Sequence, residues 1–179
     1  MKHHVAAALC VAGLAISAWP AQADEACISL HPQVDFCADR AEWQQVDRTA
    51  PETLAFFRLP EGGFGKIILE EIPVSTSVDQ EQIQETIVAM ITRQIESAGG
   101  TVEVTERDGG EYGNDLVGTI VYELQASSGQ DVLTLHSYLV SENLALQFIT
   151  STDSRNRAAY TLHKAFIDNF QISQVETFL

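Results

Sequence analysis

The sequence predicts an α+β domain: an antiparallel sheet of about six strands, one long central helix and a C-terminal helix packed on the sheet. Three observations carry that reading. Between Asp79 and Ala98 apolar residues recur at intervals of three and four, the period of an amphipathic helix. The stretches on either side are apolar or alternating runs of strand length, bounded by Gly, Pro, Asn and Ser. Strands also follow strands instead of alternating with helices, which excludes a parallel α/β sheet.

The first 23 residues read as a secretory signal peptide. Lys2 supplies the positive start, Val5 to Ser17 form a short apolar run, and Ala21-Gln22-Ala23 is a small-x-small cleavage site before Asp24. That run is too short to span a bilayer, and no later stretch approaches the roughly 20 apolar residues a membrane helix needs. The expected product is therefore soluble, begins at Asp24, and is periplasmic or secreted. Removal of 23 of the 179 residues leaves 156, the size of one ordinary domain. Loss of Lys2 leaves nine basic and 25 acidic side chains, a net charge of −16 with His neutral. Such a surface repels phosphate backbones and anionic headgroups, so neither nucleic-acid binding nor membrane insertion is expected. Solubility is the plain reading of this acidity, and attraction of cationic partners or divalent ions is the alternative.

Residues 24–53 form an N-terminal arm with little periodicity. Cys10 leaves with the signal, and Cys27 and Cys37 remain as an even pair in an oxidising compartment, the expectation being a structural disulfide. They lack the Cys-x-x-Cys spacing of a redox-active pair. Residues 54–179 are expected to form a single α+β domain. Its first two strands are Leu54 to Leu59 and Gly65 to Ile72, around a turn at Pro60-Glu61-Gly62-Gly63-Phe64. Ser77 with Gln80 can make a capping box for the helix, and Gly99-Gly100 supplies its left-handed stop. Val102 and Val104 begin a strand that the sequence ends at the turn-rich Asp108-Gly109-Gly110. Three strands follow, Leu116 to Leu124, Val132 to Val140 and Leu144 to Ile149, the last two joined by a Glu142-Asn143 turn. Asp153 or Ser154 can cap the closing helix, whose buried stripe is Ala159, Leu162, Phe166 and Phe170.

Motifs for chemistry are largely excluded. Gly62-Gly63-Phe64-Gly65-Lys66 lacks the Walker spacing, has Ile67 in place of the metal-binding hydroxyl and is followed by a strand. His31, His136 and His163 are far apart and in no metal-ligand pattern; His136 reads as a hydrogen-bonded core residue and His163 as the rim of an apolar stripe. No Gly-x-Ser-x-Gly elbow exists, and Glu70 and Glu71 point to opposite faces of a strand. Asp108, Glu111, Asn114 and Asp115 form an oxygen-rich loop that is a weak calcium candidate, without the EF-hand spacing. No cofactor is expected. Aromatics flanking loops or strand ends can anchor a partner, which makes Trp43, Phe57, Phe64 and Tyr112 the candidate contacts.

The order of elements from Leu54 to Ser173 resembles the PsbP-like fold family, which includes photosystem extrinsic subunits, a Ran-release factor and, nearest in style, the bacterial DcrB-like envelope proteins. The residues that carry the resemblance are the strand-turn-strand around Pro60 to Phe64, the Ile-rich helix ending at Gly99-Gly100, the strand containing Gly118, and the closing helix through Phe166-Ile167-Asp168-Asn169-Phe170. The resemblance implies a protein that binds or assembles other macromolecules and has no shared catalytic centre. The cysteine-containing arm departs from that pattern, so no binding residue is carried over. The expectation is thus an exported, non-enzymatic envelope protein that binds or helps assemble a protein partner. The alternatives are a small-ligand or calcium-binding domain, with a pocket between sheet and helix, and a hydrolase with an unrecognised site.

Overall fold

The computed structural model describes residues 27–38, 42–47, 53–60, 62–71, 79–141 and 144–173. The leader and its cleavage site, Glu61, Ser77 and the Glu142-Asn143 turn lie outside these residues. The elements run β1 (Ile28–His31), β2 (Val34–Phe36), β3 (Gln44–Val46), β4 (Thr53–Arg58), β5 (Phe64–Glu71), α1 (Gln80–Ser97), β6 (Thr101–Tyr112), β7 (Asp115–Gln125), β8 (Asp131–Ser141), β9 (Leu144–Asp153), α2 (Ala159–Asp168) and β10 (Phe170–Ile172). Seven strands form one antiparallel sheet in the order β3-β4-β5-β9-β8-β7-β6, and β1-β2-β10 form a second, small sheet.

Strand parity assigns the two faces of the large sheet. On β7 and β8 the even-numbered Ile120, Tyr122 and Tyr138 pack against Ile87 and Ile91 of α1. On β8 and β9, Leu139, Leu146 and Phe148 point the other way and pack with Phe166 of α2, joined there by Phe57 and Ile67. Helix α2 sits very close to the sheet at Gly65, where a Cβ would come within 2.8 Å of the Phe166 ring. Aromatic rings complete this core: Phe57 meets Phe36 at 4.4 Å and Phe166 at 5.7 Å, while Phe166 meets Phe170 at 5.1 Å.

Several elements differ from the sequence reading, each for a tertiary reason. The arm is part of the fold: Val34, Phe36 and Trp43 are buried, β3 adds a seventh strand at the sheet edge, and β2 pairs with both β1 and β10. The disulfide between Cys27 and Cys37 closes the β1–β2 hairpin, with the two Cα atoms 4.2 Å apart. Helix α2 stops at Asp168, and Phe170 continues as a strand paired with Phe36. Asp108-Gly109-Gly110 is not a turn: β6 runs through it, fully paired with Thr119, Gly118 and Val117. The turn lies instead at Gly113, where φ is +65°.

Cap assignments shift as well. The N-cap of α1 is Asp79, whose carboxylate accepts a 2.8 Å bond from the Gln82 N–H. At the other end the Gly99 and Gly100 N–H groups donate to Glu96 and Ile95 carbonyls, a Schellman motif with Gly99 at φ +77°. Helix α2 has no side-chain cap; Asp153 and Asn156 accept from the Arg155 and Ala158 N–H groups and fold the turn before it. Among the described residues no helix is long and apolar enough to cross a membrane.

Candidate functional site

Helix α2 covers β8 and β9 but not the β6 and β7 surface beside them. The uncovered strip is a trough of about 640 Å3, walled by Tyr160, His163, Lys164 and Ile167 of α2 and floored by Asp108, Gly110, Val117, Thr119, Leu135 and Ser137. A hydrogen-bond relay leads from its floor into the protein. Thr119 Oγ1 and Ser137 Oγ are 2.7 Å apart, Ser137 Oγ is 2.8 Å from His163 Nε2, and His163 Nδ1 is 2.8 Å from Thr150 Oγ1. Burial pushes the His163 imidazole down to about 4, so it is neutral at physiological pH.

Each member of this relay is set in place by parity or period. Thr119 and Ser137 are directly opposite one another on β7 and β8, and Leu135 with Thr150 is the next pair along between β8 and β9. His163 falls on the inner stripe of α2 with Leu162 and Phe166, which carries its ring to the sheet. The relay differs from a nucleophilic triad in two respects. The imidazole is oriented by a threonine hydroxyl instead of a carboxylate, and the backbone around Ser137 is paired on both sides, with Thr119 and Phe148. Its chemistry is that of a neutral, rotatable chain of donors and acceptors. Lys164 at the rim binds both oxygens of Asp168, at 3.0 and 2.8 Å, and Tyr160 donates to Glu106 on β6 at 3.0 Å, bridging the two walls.

On the opposite face His136 is completely buried, with Nε2 at 2.9 Å from Gln147 Oε1, as expected of a core histidine. The amide of Gln147 reaches on to Glu70, and His136 Nδ1 has no hydrogen-bond partner among the described residues. Burial, the dominant cause, lowers this imidazole to about 3.

The four candidate aromatic contacts separate. Trp43 is only 6% exposed and stacks on Phe166 at 5.9 Å, and Phe57 is fully buried between Phe36 and Phe166, so both are core residues. Phe64 and Tyr112 are exposed, at 47% and 55%. Register places them at opposite ends of the sheet. Phe64 aligns through Ser151, Thr134 and Tyr122 with Val104, eight residues along β6 from Tyr112, which is roughly 25 Å of strand. The calcium candidates also disperse: Asp108 and Glu111 lie three positions apart on a continuous strand and so face opposite ways, while Asn114 is in the turn and Asp115 begins β7. Among the described residues no three His, Cys, Asp or Glu side chains converge as a metal would need.

Phe64 stands beside an open groove. Its ring stacks on Phe56 at 5.3 Å and borders this second groove of about 640 Å3, lined by Gly62, Gly63, Val132, Thr152, Asp153 and Arg155 among others. The strand that holds Ser137 and the helix that holds His163, at the rim of its apolar stripe, are legible in the sequence. Their meeting required the packing of α2 on β8.

No family model matches the sequence, and no curated protein matches it. Solved structures do. The solution structure of cyanobacterial PsbP (CyanoP) from Synechocystis sp. PCC 6803 matches with a TM-score of 0.59, over 78% of this chain and 86% of that one, at 15% sequence identity. That match, at an identity that speaks for architecture alone, gives this chain a PsbP-like fold.

Proposed function

We propose that this is an exported, non-enzymatic binding protein that captures a protein partner at the Phe64 end of its sheet. The observation that carries the reading is a large aromatic ring left nearly half exposed while held by stacking on Phe56, beside an open groove. An aromatic anchor with few free rotamers loses little entropy on binding, which is what contact hot spots require. The PsbP-like fold supports a binding or assembly role, and the disulfide fits an extracytoplasmic location. The chain's formal charge of −15 favours a partner with a basic face around an apolar side chain.

The test is a photo-crosslinking amino acid placed at position 64 of the exported protein in its own envelope, with Gln94 on the exposed face of α1 as the control position. A discrete protein adduct at 64 and not at 94, suppressed by excess unlabelled parent protein but not by excess Phe64→Ala protein, is the expected result. Equal labelling at both positions, or none at 64, removes the reading.

A further inference from the structure

The trough beside α2 lies on the other face of the sheet from Phe64 and has its own chemistry. Gly110 is its most telling residue. Glycine in a strand interior is usually demanded by a positive φ or a close neighbour. Gly110 has neither: its φ is not positive, and an added Cβ would meet nothing within 4 Å among the described residues. The missing side chain keeps the floor open.

The unoccupied bonding capacity of the trough is of hydroxyl type. Among the described lining residues Lys164 is the one cation, and it is held by both oxygens of Asp168, so an anionic ligand finds no unengaged cation among them. Thr119 and Ser137 sit at the head of a relay that can run either way. When Thr119 donates to Ser137, Thr119 offers only lone pairs to the trough; when Ser137 donates to Thr119, the Thr119 hydroxyl proton is left for the trough. Val117, Leu135, Ile167 and the ring of Tyr160 supply apolar surface beside these hydroxyls, and Asp108 adds a carboxylate acceptor. Hydroxyls set next to C–H faces are the pattern that such a lining complements.

We propose that this trough binds a small uncharged polyhydroxylated ligand of mono- or disaccharide size, with Thr119 and Ser137 bonding its hydroxyls and Tyr160 covering one face. The volume lies within the usual range for small-molecule sites. This inference is independent of the Phe64 reading, because the two sites share no lining residue.

The experiment is saturation-transfer NMR on the full, exported and disulfide-bonded chain. The probes are neutral mono- and disaccharides at millimolar concentration, with primary alkylamines and short carboxylates as charged comparators. Saturation of saccharide ring protons is expected, abolished by Gly110→Trp, which fills the trough, and weakened about tenfold by Thr119→Val, which removes one hydroxyl at nearly constant shape. Thr119→Val serves alone if the tryptophan variant does not fold. Binding of only the amines or carboxylates, binding of no probe, or saccharide binding unchanged in Thr119→Val would each overturn the proposal.

Discussion

His163 and Ser137 are 26 residues apart in the chain and 2.8 Å apart in space, Nε2 bonded to Oγ across the interface between α2 and β8. With Thr150 on its other nitrogen, the ring has both polar atoms occupied by hydroxyls in a buried site, and burial disfavours its charged form.

The first prediction is an acid-labile fold. An unfolded histidine takes a proton near pH 6.5, whereas the folded His163 and His136 stay neutral down to about 4 and about 3. Below pH 6.5 the unfolded chain therefore binds more protons than the folded one, and stability falls as pH falls, until the folded pKa values are reached. Each histidine contributes a slope of roughly 1.4 kcal/mol per pH unit in that window. Urea unfolding at pH 7.5, 6 and 5 checks this: His163→Gln should show a shallower decline between pH 6 and 5 than the parent, by about that amount. An identical decline would mean that His163 is solvated in the native state.

Trp43 and Phe64 should respond oppositely to truncation. Trp43→Ala removes a ring packed on Phe166 and leaves a cavity, so it should cost about 3–5 kcal/mol in chemical denaturation. Phe64→Ala removes an exposed ring and its stacking on Phe56, and should cost at most about 1 kcal/mol. Comparable losses from the two variants would contradict their placement in core and surface.

The contrast between these two aromatics shows what the sequence could and could not convey. Helix α1 and the strands β4, β5 and β7 to β9 were legible because their residues carry the period of the element they form, and the antiparallel α+β class followed from their order. The end of β6 was misread since Asp-Gly-Gly has turn chemistry locally, while its pairing with Thr119, Gly118 and Val117 overrides that preference. Trp43 and Phe57 looked like surface anchors for a related reason. Their burial depends on Phe166, more than 100 residues further on, and no local pattern reports a partner so distant. The same applies to the trough: Thr119 and Ser137 lie in strands that the sequence shows, but their meeting with His163 depends on where α2 lands.

The disulfide should stabilise the small sheet and, through it, the edge of the main core. It closes a ring over a sequence separation of 10, worth about 3 kcal/mol in the loop-entropy model. That hairpin carries Val34 and Phe36 into the main core and pairs with β10, so loosening it also loosens Phe170. The double variant Cys27→Ser, Cys37→Ser should unfold at lower urea by an amount corresponding to about 2–3 kcal/mol. Hydrogen exchange should rise first in residues 170–172, and exchange unchanged there would separate the bridge from the core.

Adjacent glycines on β6 give the most discriminating prediction. Gly109 faces α1, where a Cβ would run into the Gln80 amide that bonds Val117 O and Tyr138 Oη, at 3.2 and 2.9 Å. Gly109→Ala must displace that amide and leave the Tyr138 hydroxyl short of one partner, at a cost of about 1–3 kcal/mol. Gly110 points to the trough, where an alanine methyl meets none of the described residues, and the substitution removes backbone freedom from the unfolded chain. Gly110→Ala should therefore be neutral or stabilise by about 0.5–1 kcal/mol. Thermal unfolding of the two single variants checks both signs together. If Gly110→Ala destabilises as much as Gly109→Ala, the floor is packed instead of open, and the trough is not a binding surface.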